Sequence, residues 1–173
     1  MSPREQWAPN YGTHMGPMLL ALQATHGPVL ELGAGVWSTP MLHQLCAFDG
    51  RHLVTVEQVD AWLEQFAVLR SDSHELLPYS ALPSWAWNVP YSVALVDHQR
   101  ESRGPDLLRI DAEFIVVHDT EPNHRMVYPG LEEYPRLEEV MQSFPHRHDF
   151  ATLMPWTTVL SRTRPIPDRW YGL

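Results

Sequence analysis

Residues 29–40, Val-Leu-Glu-Leu-Gly-Ala-Gly-Val-Trp-Ser-Thr-Pro, constrain the fold more than any other stretch of this chain. Four residues of buried-strand character run into a turn with glycines at 33 and 35, and a helix start follows. Thr39 is a candidate N-cap and Pro40 a favoured first helical residue. Gly33 and Gly35 let a ligand approach the backbone with no Cβ in the way, and a helix start offers unpaired N–H groups to an anion. Glu31 adds a carboxylate on the strand side. Together these features outline a nucleotide-cofactor pocket.

Three further apolar runs lack polar alternation: 53–56, 93–96 and 114–117. Such runs fit strands covered on both faces, as in a parallel sheet. Helical spacing separates them. Met15, Met18, Leu19 and Leu22 form one apolar face; another helix follows Pro40; a third is expected from Asp60, carrying Trp62, Leu63, Phe66 and Leu69 inward. A short helix is expected near Pro105–Ile110, and Leu137, Val140, Met141 and Phe144 suggest another. A short strand is expected around Glu75–Leu77. His148–Leu153 and Thr157–Ser161 read as a closing antiparallel pair. Strand and helix in alternation predict a doubly wound α/β sheet. No repeat or linker interrupts it, so the expectation is one domain over 1–173, with an N-terminal arm at 1–13 and a C-terminal tail at 163–173.

Charge and composition narrow the partners. The net charge is −9 and all twelve cationic residues are arginine, scattered along the chain. That argues against nucleic acid, whose binders display a cationic footprint. No apolar run reaches a membrane span and no signal peptide is evident, which sets the expectation of a cytoplasmic protein without a membrane partner. Cys46, the single cysteine, falls on an apolar helix face with Met41, Leu42 and Leu45 and reads as core packing. None of the ten histidines forms a pair with zinc-motif spacing; His146 and His148 read as surface residues of a strand.

In an open parallel sheet, ligands bind beyond the carboxyl ends of the strands. Acidic residues fall at those ends: Glu57 after the second run, Asp97-His98 after 93–96, and His118-Asp119-Thr120-Glu121 after 114–117. A carboxylate about 20 residues beyond the glycine turn suits a ribose, because it accepts hydrogen bonds from adjacent hydroxyls.

Glu31-Leu-Gly33-Ala-Gly35, the downstream Glu57 and the closing strand pair resemble class I S-adenosylmethionine-dependent methyltransferases over roughly residues 12–162. The resemblance implies a Rossmann-like seven-stranded sheet, order 3-2-1-4-5-7-6, with the last strand antiparallel. It implies S-adenosyl-L-methionine as cofactor, with Glu31, Gly33 and Gly35 at the methionine end, Ser38 and Thr39 near its carboxylate, Glu57 on the ribose, and Asp97 lining the pocket. His14 and Tyr11, before the first helix, are placed to close over the same site.

Methyl transfer from a sulfonium is an in-line displacement, so alignment does much of the work. An oxygen acceptor also needs its proton removed or weakened, by a base or a metal. Asp97, His98, His118 and Asp119 are the catalytic candidates. The run Asp97-His98 with Val117-His-Asp119 is similar to catechol-type O-methyltransferases, which implies a magnesium ion on Asp97 and Asp119. Thr120 stands where that pattern has Asn, leaving Glu121 as a substitute oxygen ligand. The expected reaction is O-methylation of a small-molecule or sugar-type acceptor.

Two other functions remain open on sequence. Nicotinamide-dependent oxidoreductases share the glycine turn and the ribose acid, but prefer a third glycine where this chain has Ser38. A methyltransferase-fold scaffold that binds cofactor without catalysis would also retain the turn. Asn88-Val-Pro90-Tyr91 is similar to the Asn-Pro-Pro-Tyr element of amine-directed methyltransferases but precedes, rather than follows, the 93–96 run. Trp85, Trp87 and Trp156 lie in loops where aromatics either line a pocket or plug a core. The acceptor and the oligomeric state are not legible, and residues 120–135 are expected to contribute to acceptor recognition.

Overall fold

The computed structural model describes residues 12–121 and 134–167. Seven strands form one sheet: β1 (Val29–Leu32), β2 (Leu53–Glu57), β3 (His74–Pro78), β4 (Tyr91–Val96), β5 (Ala112–His118), β6 (His146–Phe150) and β7 (Thr157–Ser161). Their order is β3-β2-β1-β4-β5-β7-β6. β1 to β5 pair in parallel, whereas β7 runs antiparallel to both β5 and β6. This is the Rossmann-like doubly wound arrangement the sequence predicts.

Alternation along the central strands sorts their side chains onto two covered faces. Leu30, Leu32, Val54, Val56, Ala94, Val96, Ile115 and Val117 enter one core. That core includes Leu107 of α4 (Arg100–Arg109) and Leu137 and Met141 of α5 (Tyr134–Gln142). Val29, Leu53, Val93, Leu95, Phe114 and Val116 enter the other, with Met18, Ala21 and Leu22 of α1 (Met15–Gln23) and Leu42 and Cys46 of α2 (Ser38–Asp49). Continued to the strand ends, the same alternation assigns Glu31, Thr55, Glu57, Asp97 and His118 to the α1/α2 side. It assigns His98 and Asp119 to the α4 side.

Several elements differ from expectation. α1 buries Pro17, Met18, Ala21 and Leu22, so its inward face is rotated from the expected one and Leu19 is 39% exposed. α2 starts at Ser38 with Trp37 at the cap position and no side-chain cap; Thr39 Oγ1 instead accepts the Gly35 N–H at 2.9 Å. The expected long helix after Asp60 is one α-turn, α3 (Asp60–Leu63), followed by a 3-10 segment, Glu64–Leu69. α4 begins five residues before Pro105, which lies inside it. β6 spans 146–150 rather than 148–153, and His146 and His148 on it are half-buried. Cys46 is buried as expected, and burial pushes its thiol up to about 12. No helix among the described residues is long and apolar enough to cross a membrane.

Candidate functional site

The glycine turn closes tightly on β4. Gly33 has φ +98°, and a Cβ there would lie 2.5 Å from the Asp97 carbonyl oxygen and 2.7 Å from the His98 nitrogen. The turn is fixed from β2 as well: Glu57 Oε2 accepts the Ala34 N–H at 2.9 Å, while Oε1 accepts those of Gln58 and Val59. Glu57 is nearly buried. With one bond on Oε2 and two on Oε1, a lone pair on Oε2 remains for a ligand hydroxyl. Trp62 Nε1 donates to Ala34 O at 2.6 Å, holding the turn from α3. At the start of α2, which lacks a side-chain cap, the Thr39 N–H donates to Gly35 O at 3.1 Å and Pro40 carries no N–H, so of its first three residues only Ser38 has an N–H to offer an anionic group.

Glu31 lies beneath the turn and is fully buried. Burial raises its carboxyl to about 7, partly offset by the hydroxyls of Ser38, Thr55 and Thr39. Thr55 Oγ1 donates to Glu31 Oε2 at 2.7 Å and also contacts His74 Nε2 at 2.9 Å. His74 Nδ1 in turn lies 3.1 Å from His43 Nδ1. Burial, reinforced by His43, lowers His74 to about 4.

The second half of the site is built by register. Val96 of β4 pairs with Val117 of β5, so the next residue of each strand falls opposite its neighbour. Asp97 Oδ2 is 3.1 Å from His118 Nδ1. Burial alone would raise the Asp97 carboxyl, but the His118 hydrogen bond and Arg103 hold it down, at about 2. His118 is raised above the ordinary imidazole value: burial opposes the charge, and Asp97 and Asp119 more than compensate. The His14 ring packs edge-on against His118 with centroids 4.6 Å apart. Burial, with the charge of His118 next, lowers His14 to about 4.

Arg103 of α4, which the sequence reading did not single out, ties these groups together. Its Nε donates to His98 O, Nη1 to His118 O and Nη2 to Asp97 Oδ1, at 2.7, 2.7 and 2.9 Å. The expected helix started at Pro105, which left Arg103 outside any element. Its signal was its position six residues beyond Asp97.

The structure does not bring His98 and Glu121 into this group, while Asp119 stands at its edge, Oδ1 3.6 Å from His118 Nδ1. His98 faces α4, with Nε2 2.9 Å from Asp106 Oδ2 and its ring stacked on Tyr79. Asp119 pairs with Arg100 at 3.2 Å and lies 3.7 Å from Arg103. Glu121 Oε2 accepts the Trp156 N–H at 3.1 Å. A magnesium ion takes oxygen ligands in octahedral geometry. Asp97, Asp119 and Glu121 do not form one such site: Glu121 is turned to the β6–β7 connection, Asp119 is drawn to Arg100, and among the described residues the ligating groups that converge on Asp97 are His14 and His118. Tyr11 and most of 120–135 lie outside the described residues, as do 1–11 of the arm and 168–173 of the tail. Trp87 packs under the Arg109 guanidinium, 3.9 Å from its ring centre, and Trp85 is 42% exposed.

The architecture matches solved methyltransferases across most of its length. The O-methyltransferase TomG from Streptomyces achromogenes, involved in tomaymycin synthesis and solved with SAM, aligns over 87% of this chain and 79% of its own. Its TM-score is 0.61 at 15% identity. Cofactor-bound Rv0187 from MTB aligns over 90% and 81%, again with TM-score 0.61 and 15% identity. The fold is that of the class I methyltransferases. A putative tRNA (m1A22) methyltransferase of Streptococcus pneumoniae also shares it, over 91% of this chain and 74% of its own, with TM-score 0.50 and 10% identity. No family model and no curated protein matches the sequence. The antiparallel β7, inserted between β5 and the edge strand β6, also separates this sheet from dinucleotide-binding Rossmann sheets with strand order 3-2-1-4-5-6.

Proposed function

We propose that the protein is an S-adenosyl-L-methionine-dependent methyltransferase acting on an oxygen of a small-molecule or sugar-type acceptor. The observation that carries this reading is the convergence of three strand ends. Gly33 packs on the Asp97 carbonyl while Glu57 binds the Ala34 N–H, so a glycine turn, the start of α2 and a ribose-suited acid meet at the carboxyl ends of the central strands. Gly33, Gly35, Ser38 and Thr39 hold the methionine end of the donor, above the buried Glu31, and Glu57 holds the ribose. The donor supplies a sulfonium-bound methyl group. Asp97 and His118 stand at the acceptor end and activate the attacking hydroxyl, whose approach in line with the methyl group sets the rate.

The test is transfer of labelled methyl from S-adenosylmethionine to fractionated small metabolites and, separately, to RNA. Label in a small-molecule fraction supports the reading. Label confined to RNA overturns the acceptor class. Cofactor binding with no transfer to any fraction favours a scaffold.

A further inference from the structure

We propose that His14, Asp97 and His118 form a binding site for a divalent transition-metal ion of the zinc or cobalt kind. One ligating atom from each lies within 4.8 Å of the other two, little more than the roughly 4.2 Å spanned by two opposite 2.1 Å bonds. Two imidazoles and one carboxylate suit a borderline cation rather than magnesium.

One observation points to an ion: His14 is 4% exposed, it packs against His118, and neither ring nitrogen has a hydrogen-bond partner among the described residues. A buried imidazole with both nitrogens idle loses its water bonds for nothing, unless a ligand takes one.

The spacing of the other two groups is compatible with an ion. Thr13 Oγ1 donates its one proton to Pro155 O at 2.7 Å, so at 3.0 Å it accepts from His118 Nε2, which leaves Nδ1 facing Asp97 Oδ2 at 3.1 Å. Without an ion this contact is a charge-assisted hydrogen bond of the imidazolium; a divalent cation would displace the Nδ1 proton. Adjacent ligands on bonds of about 2.1 Å stand roughly 3.0–3.4 Å apart at 90–109°, so the pair already has the separation a shared ion needs. Thr13 on Nε2 and Arg103 on Asp97 Oδ1 then act as outer partners that fix both ligands.

The ion site itself does not depend on the donor. Its role, weakening the acceptor's O–H bond at an open coordination position, rests on the proposed methyl transfer.

Chelator-treated protein is titrated with Co2+ alone and followed by visible absorption and calorimetry, with excess Mg2+ present. Expected are one ion per chain, a ligand-field band, and binding weakened at least tenfold in His14→Gln and in Asp97→Asn but unchanged in His148→Gln. Circular dichroism confirms that each variant is folded. No stoichiometric binding by wild type overturns the site and assigns His118 as a plain imidazolium paired with Asp97. Binding that survives both substitutions, or is displaced by Mg2+, overturns it equally. Binding of S-adenosylhomocysteine to the metal-free protein is read separately, so loss of the ion site and loss of the donor site are distinguishable.

Discussion

His118 Nδ1 lies 3.1 Å from Asp97 Oδ2 because β4 and β5 run parallel with Val96 opposite Val117. That register aligns Asp97 with His118 rather than with Asp119. Arg103 then locks both strand ends from α4, taking the His118 carbonyl and the second Asp97 oxygen.

Arg103→Lys should be among the most damaging conservative changes in the chain. One ammonium cannot meet two carbonyls and a carboxylate arranged for a planar fork. The Arg103 side chain is 4% exposed and that of Asp97 22%, so the loss is set below that of a fully buried pair, at about 2–3 kcal/mol. Urea denaturation measures it, and Arg70→Lys at an exposed loop position should change stability by under about 0.5 kcal/mol.

Gly33→Ala and Gly50→Ala separate two costs that both arise at positive φ. Gly50, with φ +67°, has open space where a Cβ would go, so alanine there should cost only the left-handed backbone penalty, about 1–2 kcal/mol. At Gly33 the Cβ meets backbone of β4 at 2.5 Å, which cannot swing aside. The loss should exceed about 3 kcal/mol, with S-adenosylhomocysteine binding abolished in whatever folds. Thermal melts of the two variants, side by side, check the order.

Glu31 and His74 give opposite pH slopes. The Glu31 carboxyl rises from 4.5 to about 7 on folding. The native state therefore holds the extra proton between these values, and stability falls as pH rises across that window. The penalty above pH 7 is on the order of 3 kcal/mol. His74 falls from 6.5 to about 4, so the unfolded chain binds the extra proton there and stability is lost as pH drops from 6.5 toward 4. Glu31→Gln should remove the first slope and leave the second, as read from urea midpoints between pH 4 and 8.

The strands and the glycine turn were legible in the sequence because they depend on local signals: apolar runs, paired glycines and a closing hairpin; the strand order followed from the resemblance to class I methyltransferases. The residues proposed for the donor side share that legibility, since Glu31, Gly33 and Glu57 lie on or beside the strands. The proposed acceptor side was harder to read. Choosing among Asp97, His98, His118 and Asp119 requires the face each occupies and the β4–β5 register, and neither is visible in one sequence. Alternation along the strands would have sorted most of the faces, grouping Asp97 with His118 and sending His98 toward α4; Asp119, past the end of β5 with φ +55°, reaches both the α4 arginines and His118. Arg103 was missed because Pro105 reads as a helix start although it lies inside α4. The inward face of α1 was misjudged for a similar reason: Pro17 and Ala21 pack inward although neither stands out as apolar bulk.

The donor crevice is tested most directly by calorimetric titration with S-adenosylhomocysteine, for wild type and Glu57→Gln, with NAD as the comparison ligand. The account predicts saturable one-to-one binding by wild type, at least tenfold weaker binding by folded Glu57→Gln, and no heat with NAD. Folded wild type that ignores S-adenosylhomocysteine, or that binds NAD in its place, would contradict it.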